Sequence, residues 1–295
     1  MARRLLTGLA LALVLAGSAT AADAPVRLKA DPGGLLDLQS RQEKVGDHWR
    51  FVSTTDDRIT GSRPRHQTNR LVFDVEVIAL SSQAITLRYT LREVQIEDDS
   101  QPGILAAEQA FIGIPIEFEA RQGYEPYQLT NWPAAKAAYM AALDRLAPGN
   151  KTLRQQVEAG FTRLEAGDPE ALADAMVGDM TVLAGMQQIA APRQRMEIPT
   201  QTTDLGEGRT MTVTGWVGLD SENAARCEAT WSRETHRVGT GGEAPLDYDL
   251  NSTATLSTLD GWVLSLTETT KLSYGGDAEQ KVVTITRQGA APGCA

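Results

Sequence analysis

The sequence predicts an α+β protein: a mainly antiparallel, curved, half-barrel-like sheet with a three-helix insertion packed on one face. Three observations predict it. Apolar and polar residues alternate with period two through much of Val45 to Ala120, the signature of strands with one buried face. Between Pro133 and Pro192 the apolar spacing changes to three and four residues, which is that of an amphipathic helix. From Glu197 strand-like runs return, and 17 of the residues between Thr200 and Thr286 are threonine, β-branched and stiff at χ1.

The elements follow in order. Arg3 and Arg4 precede the apolar run Leu5 to Gly17, and Ala19-Thr20-Ala21 supplies small residues around a cleavage point. The run is shorter than the ~20 residues a membrane helix needs, so residues 1–21 read as a secretory signal peptide of bacterial type. Leu15-Ala16-Gly17-Ser18 has the outline of a lipobox, but Ser18 stands where a lipidated cysteine would be. The expectation is a soluble periplasmic or secreted product with no stable membrane anchor, and a single β-rich domain over 22–295.

Trp49 and Phe51 mark an early strand. Leu71, Phe73, Val75 and Val77 alternate with Asp74 and Glu76, and Ile85, Leu87, Tyr89 and Leu91 with Arg88 and Arg92. Ser81-Ser82-Gln83 joins these two runs as a hairpin. Ile112, Ile114, Ile116 and Phe118 mark a further strand, which Pro115 places at an edge or a bulge. The helical insertion over 131–191 holds three helices. Pro133 suits a first turn and Pro148-Gly149 a stop. Leu153, Val157, Phe161 and Leu164 form the second stripe. Asp168 caps a third helix with Pro169 at its first position, and Leu172, Met176, Met180 and Leu183 are its buried face. Five strands follow: Met211 to Val217, Cys227 to His236, Leu250 to Leu259, Trp262 to Ser273 and Lys281 to Arg287. Asp260-Gly261 reads as a two-residue hairpin turn. About nine or ten strands are expected in all.

This order of parts over residues 45–288, with the local run Pro115 to Leu146 (strand, glycine turn, strand, amphipathic helix), resembles the periplasmic lipoprotein-carrier half-barrel proteins and related secreted bacterial families. The resemblance implies a curved antiparallel sheet holding an apolar groove that helices plug. No functional motif of those proteins matches, so no site residue is carried over.

The chemistry that composition allows is narrow. A net charge of −10 excludes a nucleic-acid binder, which needs clustered Lys and Arg. His48, His66 and His236 are scattered and no H-E-x-x-H occurs, so no zinc site is read. Asp247, Asp249 and Asn251 alternate like the start of a calcium loop, but Ser252 and Thr258 stand where Gly and Glu are required, so the run reads as a carboxylate-lined surface turn. There is no G-x-S-x-G elbow. Asp47-His48 with a distant serine is the only opening for a convergent hydrolytic triad. Glu97-Asp98-Asp99 reads as a solvated turn, and Gly239 to Gly242 as a hairpin loop, since no helix follows to cradle phosphate.

Cys227 and Cys294 are expected to pair in an oxidising compartment. The bridge would close a loop of 67 residues and stabilise by roughly 4 kcal/mol in the chain-entropy model. Two separate thiols are the alternative, because spacing sets no distance. Met176, Met180 and Leu183, with Met186, are the candidate lining of an adaptable apolar groove, or plain core filling. The functional expectation is a non-catalytic binding module with no cofactor and no metal, taking a hydrophobic small molecule. The alternatives are an envelope protein that binds a protein partner, and a hydrolase with a convergent site.

Overall fold

The computed structural model describes residues 35–37, 43–81, 84–98, 104–121, 124–186, 190–206, 208–241 and 245–289. The expected signal peptide and Cys294 lie outside them, and so does the expected Cys227–Cys294 bridge. The chain runs β1 (Leu35–Asp37), β2 (His48–Thr60), β3 (Arg65–Leu80), β4 (Ile85–Asp98), α1 (Ile104–Gln109), β5 (Pro115–Ala120) and β6 (Pro126–Leu129). The helices α2 (Trp132–Leu146), α3 (Lys151–Glu165) and α4 (Pro169–Ala184) come next. Then follow β7 (Ala190–Pro192), β8 (Met196–Gly206), β9 (Arg209–Asn223), β10 (Glu228–Thr240), β11 (Leu246–Ser257), β12 (Val263–Tyr274) and β13 (Asp277–Gln288).

Eleven strands form one curved, open antiparallel sheet in the order β6-β5-β4-β3-β2-β13-β12-β11-β10-β9-β8, and β1 pairs with β7 in a separate ribbon. Neighbours in the large sheet are consecutive in sequence except at its centre. There β13 pairs with β2 from Ala278↔Thr60 to Gln288↔Arg50, and this ladder joins the strands before the helices to those after them. The curvature can be read from one contact. Tyr124, in the turn between β5 and β6, lies 4.5 Å from Trp262 in the turn between β11 and β12. β5 and β12 are five strand spacings apart, roughly 24 Å along a flat sheet. Trp262 also stacks on Trp49 at 4.0 Å and approaches Phe51 at 6.2 Å, so four aromatic rings close one end of the trough.

The helices fill the same end. Asn150 caps α3 by accepting from the Leu153 N–H, and Asp168 caps α4 by accepting from the Glu170 N–H, each relieving one of the unpaired donors of a first turn. Tyr139 of α2 meets Phe111 at 4.1 Å and Phe161 of α3 at 5.2 Å. The Trp132 indole donates to Glu165 at 2.8 Å. From α4, Asp179 accepts the Tyr89 hydroxyl of β4 at 3.3 Å. Just past α4, the Met186 carbonyl accepts the Trp231 indole N–H of β10 at 3.2 Å. The α4 segment therefore spans the trough from one wall to the other.

The structure corrects several boundaries. A helix absent from the sequence reading, α1, lies before the insertion; six residues are too short to show a helical period. Ile112 is exposed in the turn that follows α1, and Gly113 at φ 78° closes that turn. Pro115 opens β5, which is paired on both sides, so the edge strand is β6. Pro192 does not end the helices but pairs with Leu35. β8 went unread because its side chains are mostly exposed on both faces, which leaves no alternation to see. Cys227 lies in the turn before β10 at φ 51°, not in the strand. The connection at Asp260-Gly261 spans residues 258–262 instead of two, held by the Ser257 hydroxyl accepting from Leu259 and Asp260 N–H groups. The described residues hold thirteen strands because long hairpins such as β8–β9 contain more paired chain than their apolar cores reveal.

The convex face is charged, and its best-buried acid is Asp74 on β3. Arg50 donates to it at 2.6 and 3.0 Å and Arg92 at 2.7 Å. Burial opposes its charge, yet these two guanidinium groups outweigh burial and hold the carboxyl down at about 2. A folded-state value below the ordinary ~3.9 means that this stabilisation is complete above about pH 4 and is lost as pH falls toward 2. Asp74→Asn is expected to lower unfolding stability at pH 7 by on the order of 2 kcal/mol and to flatten the acid limb between pH 4 and 2. Urea unfolding across pH checks both; an unchanged acid limb would remove Asp74 from the account.

Candidate functional site

The helix-facing side of the sheet changes character along its strands. On β10 this face presents Ala229, Trp231, Arg233, Thr235, Arg237 and Gly239 in turn. The register sets Arg233 opposite Ser252, Thr235 opposite Leu250, and Arg237 opposite Tyr248. On β12, Glu268 faces Ser252, Thr270 faces Leu250 and Leu272 faces Tyr248. Lys281 of β13 faces Thr270 and Asp57 of β2. At the helix-filled end the same face carries Trp231, Ala254, Leu256, Leu266 and Ile285, all at 0–1% exposure. One end is thus apolar and sealed. The other is polar and cationic in places, with Arg237, Tyr248, Thr270 and Lys281 half-buried beside buried Thr235, Leu250 and Ser252.

The polar end is the candidate site. Arg233 carries the tightest constraint. Its Nη1 donates to the Gly185 carbonyl beyond α4 at 3.3 Å, its Nη2 lies 3.7 Å from Glu268, and its buried Nε has no hydrogen-bond partner. Burial pulls the guanidinium below its ordinary pKa, and Glu268 works against that. Glu268 is itself shared, accepting the Ser252 hydroxyl at 3.0 Å. Two residues further along the face beyond Thr235, Arg237 stacks over the Tyr248 ring at 5.5 Å from its centroid. Its Nε is likewise buried without a partner. Burial, and then Glu268, push the Tyr248 hydroxyl up. Half-buried apolar residues border this group: Met211 and Val213 on β9, Leu246 on β11 and Leu272 on β12. Gly239 keeps the strip between Met211 and Leu246 shallow, since a Cβ there would stand 3.0 Å from Leu246 and 3.6 Å from the Met211 methyl.

Met176, Met180, Leu183 and Met186 are fully buried in the core at the sealed end. They belong to α4 and the turn after it, the segment that hydrogen-bonds Tyr89 and Trp231 of the sheet. Sequence reading passed over Arg233 and Arg237. The signal was present: they continue the phase of Ala229 and Trp231 along one strand, so a face that begins apolar turns basic.

The histidines lie elsewhere. His48 stands 3.6 Å from Asp74, His66 3.2 Å from Asp56, and His236 2.6 Å from Asp249 and 3.5 Å from Asp247 on the convex face. The pair Asp247 and Asp249, read from sequence as a turn, is on β11 and brackets His236 of β10. These three ligand atoms fall within 4.8 Å of one another. Among the described residues no serine or threonine hydroxyl hydrogen-bonds to any of the three rings.

Comparison with known proteins adds little to this geometry. No protein-family model and no curated relative matches the chain. A solved structure titled "Lipid-protein interactions in lipovitellin" is similar at 9% identity and a TM-score of 0.43, over 86% of this chain and 26% of that one. The chain thus spans about a quarter of the length of that protein, and a likeness at this level carries no functional argument.

Among the described residues Glu268 is the carboxylate that pairs with Arg233. Glu268→Gln is expected to leave a desolvated guanidinium uncompensated and to lower stability by about 1–3 kcal/mol. Urea midpoints of the two proteins check this; an unchanged midpoint would mean that Arg233 is hydrated and not held by Glu268.

Proposed function

We propose that the chain is a soluble binding module of the periplasm or extracellular space that performs no chemistry and takes up a hydrophobic small molecule in its trough. The observation that carries this is the division of one sheet face into an apolar end covered by helices and a half-buried end where apolar and cationic side chains intermix. A folded protein ordinarily covers such a face or keeps it polar; exposed apolar surface beside unsatisfied donors marks a place where something binds. The signal-peptide pattern supports the location, and the sheet-and-helix arrangement agrees with the carrier-like order of parts read from sequence. Met176, Met180 and Leu183 extend the reading inward: a ligand chain long enough to reach the sealed end displaces flexible thioethers more easily than branched side chains.

A second reading, an adaptor for an envelope protein, is favoured by β8. That strand is an edge of the sheet with largely exposed side chains, and an edge strand offers unpaired backbone to a partner.

The purified mature protein is expected to quench or shift an apolar fluorescent probe such as N-phenyl-1-naphthylamine with saturable binding, and to yield lipid on organic-solvent extraction. Absence of both would overturn the binding-module reading and leave the adaptor.

A further inference from the structure

We infer that Arg233 and Arg237 hold the oxyanion head, a carboxylate or a phosphate, of a single-chain anionic amphiphile whose tail lies along Met211, Val213, Leu246 and Leu272. This rests on the binding-module reading above and names the ligand class for it.

A buried N–H without an acceptor loses its water and gains nothing in return, and β10 carries two on this face, the Nε atoms of Arg233 and Arg237. Both belong to guanidinium groups, which are built to grip carboxylate or phosphate oxygens in pairs. Among the described residues the carboxylate beside Arg233 is Glu268, at 3.7 Å and already accepting from Ser252. Among the described residues no acidic side chain forms an ion pair with Arg237, which lies over the face of Tyr248. Of the other charges on this face, Asp57 pairs with Arg65 at 2.6 Å and stands opposite Lys281, and Glu279 is on β13, three strands from Arg237, opposite Leu272 and Ile59. In a chain of net charge −10, two under-compensated arginines on one strand face are a local reversal of sign. The Tyr248 hydroxyl, hydrogen-bonded with Thr270, stands between the two arginines' strand and β12 and adds a polar contact for the head. The apolar border explains why the ligand is an amphiphile and not a free anion: Met211, Val213, Leu246 and Leu272 would otherwise line a half-open trough facing water.

The test compares ligands of equal chain length. Tetradecanoate and a tetradecyl phosphate are titrated against the mature protein by probe displacement, with neutral tetradecanol as the control. Binding of the anions is expected to exceed that of the alcohol and to weaken with salt. Arg237→Gln is expected to weaken anion binding by roughly tenfold or more and to leave the alcohol unchanged, with Arg237→Lys in between. Arg237 is used because it is only half-buried and is not wedged against α4, and an unchanged thermal transition confirms that the variant folds. Equal binding of anion and alcohol, or an anion affinity indifferent to Arg237→Gln in a folded variant, would overturn the head-group assignment while leaving the binding module. Binding of no chain at all would overturn the module itself.

Discussion

The ladder between β2 and β13 is the constraint on which the rest depends. It pairs the strand at residues 48–60 with the one at 277–288, so the first and last long strands lie side by side at the centre of the sheet. Without it there are two smaller antiparallel sheets, each with an exposed edge, and no trough. With it, eleven strands become one surface that curls until Tyr124 reaches Trp262. Pairing so distant in sequence carries a large loop-closure cost before any contact repays it. The register is nevertheless well specified, because Phe51, Ser53 and Ile285 are buried on one face of this ladder, and a slip by one residue would turn them outward.

Curvature then decides what the helices do. A flat sheet of this width would need helices along its whole face. A curled one is filled at one end by α4 and its neighbours, with α2 and α3 packed together through Tyr139 and Phe161. Tyr89 from one wall and Trp231 from the other both hydrogen-bond to the α4 segment. The helices stop there, and the strands continue past them. The polar end of the face is therefore a consequence of strand length: β9 to β13 outrun the plug, and their inward-facing residues must tolerate water. Arg233, Arg237, Lys281 and Thr270 do so. The apolar residues set among them are what a purely structural account leaves unexplained.

Much of this architecture was legible in the sequence. Alternation at Leu71 to Val77 and Ile85 to Leu91 marks the central hairpin, and Asp168-Pro169 places the start of α4 to the residue. Elements without a one-sided pattern were hidden: β8 is wet on both faces, and α1 is too short. The candidate site was hidden for a different reason. Arg237 comes together with Tyr248, Thr270 and Leu272 only through cross-strand register, which no local pattern reveals. Likewise, His236 and the Asp247/Asp249 pair look unrelated in sequence until β10 and β11 are aligned. The sequence does contain the phase that turns Arg233 and Arg237 toward the trough, since they follow Trp231 at even spacing, but a period-two reading of apolar residues alone discards them.

The central claim is that the half-buried end of the trough is where ligand is held. Chemical-shift mapping of the isotope-labelled mature protein, titrated with tetradecanoate, tests it most directly. Saturable shifts are expected to concentrate on the backbone around Arg237, Tyr248, Thr270 and Leu272, with the convex face around Asp74 unmoved. Shifts confined to the convex face, or to the exposed edge at β8, would contradict it.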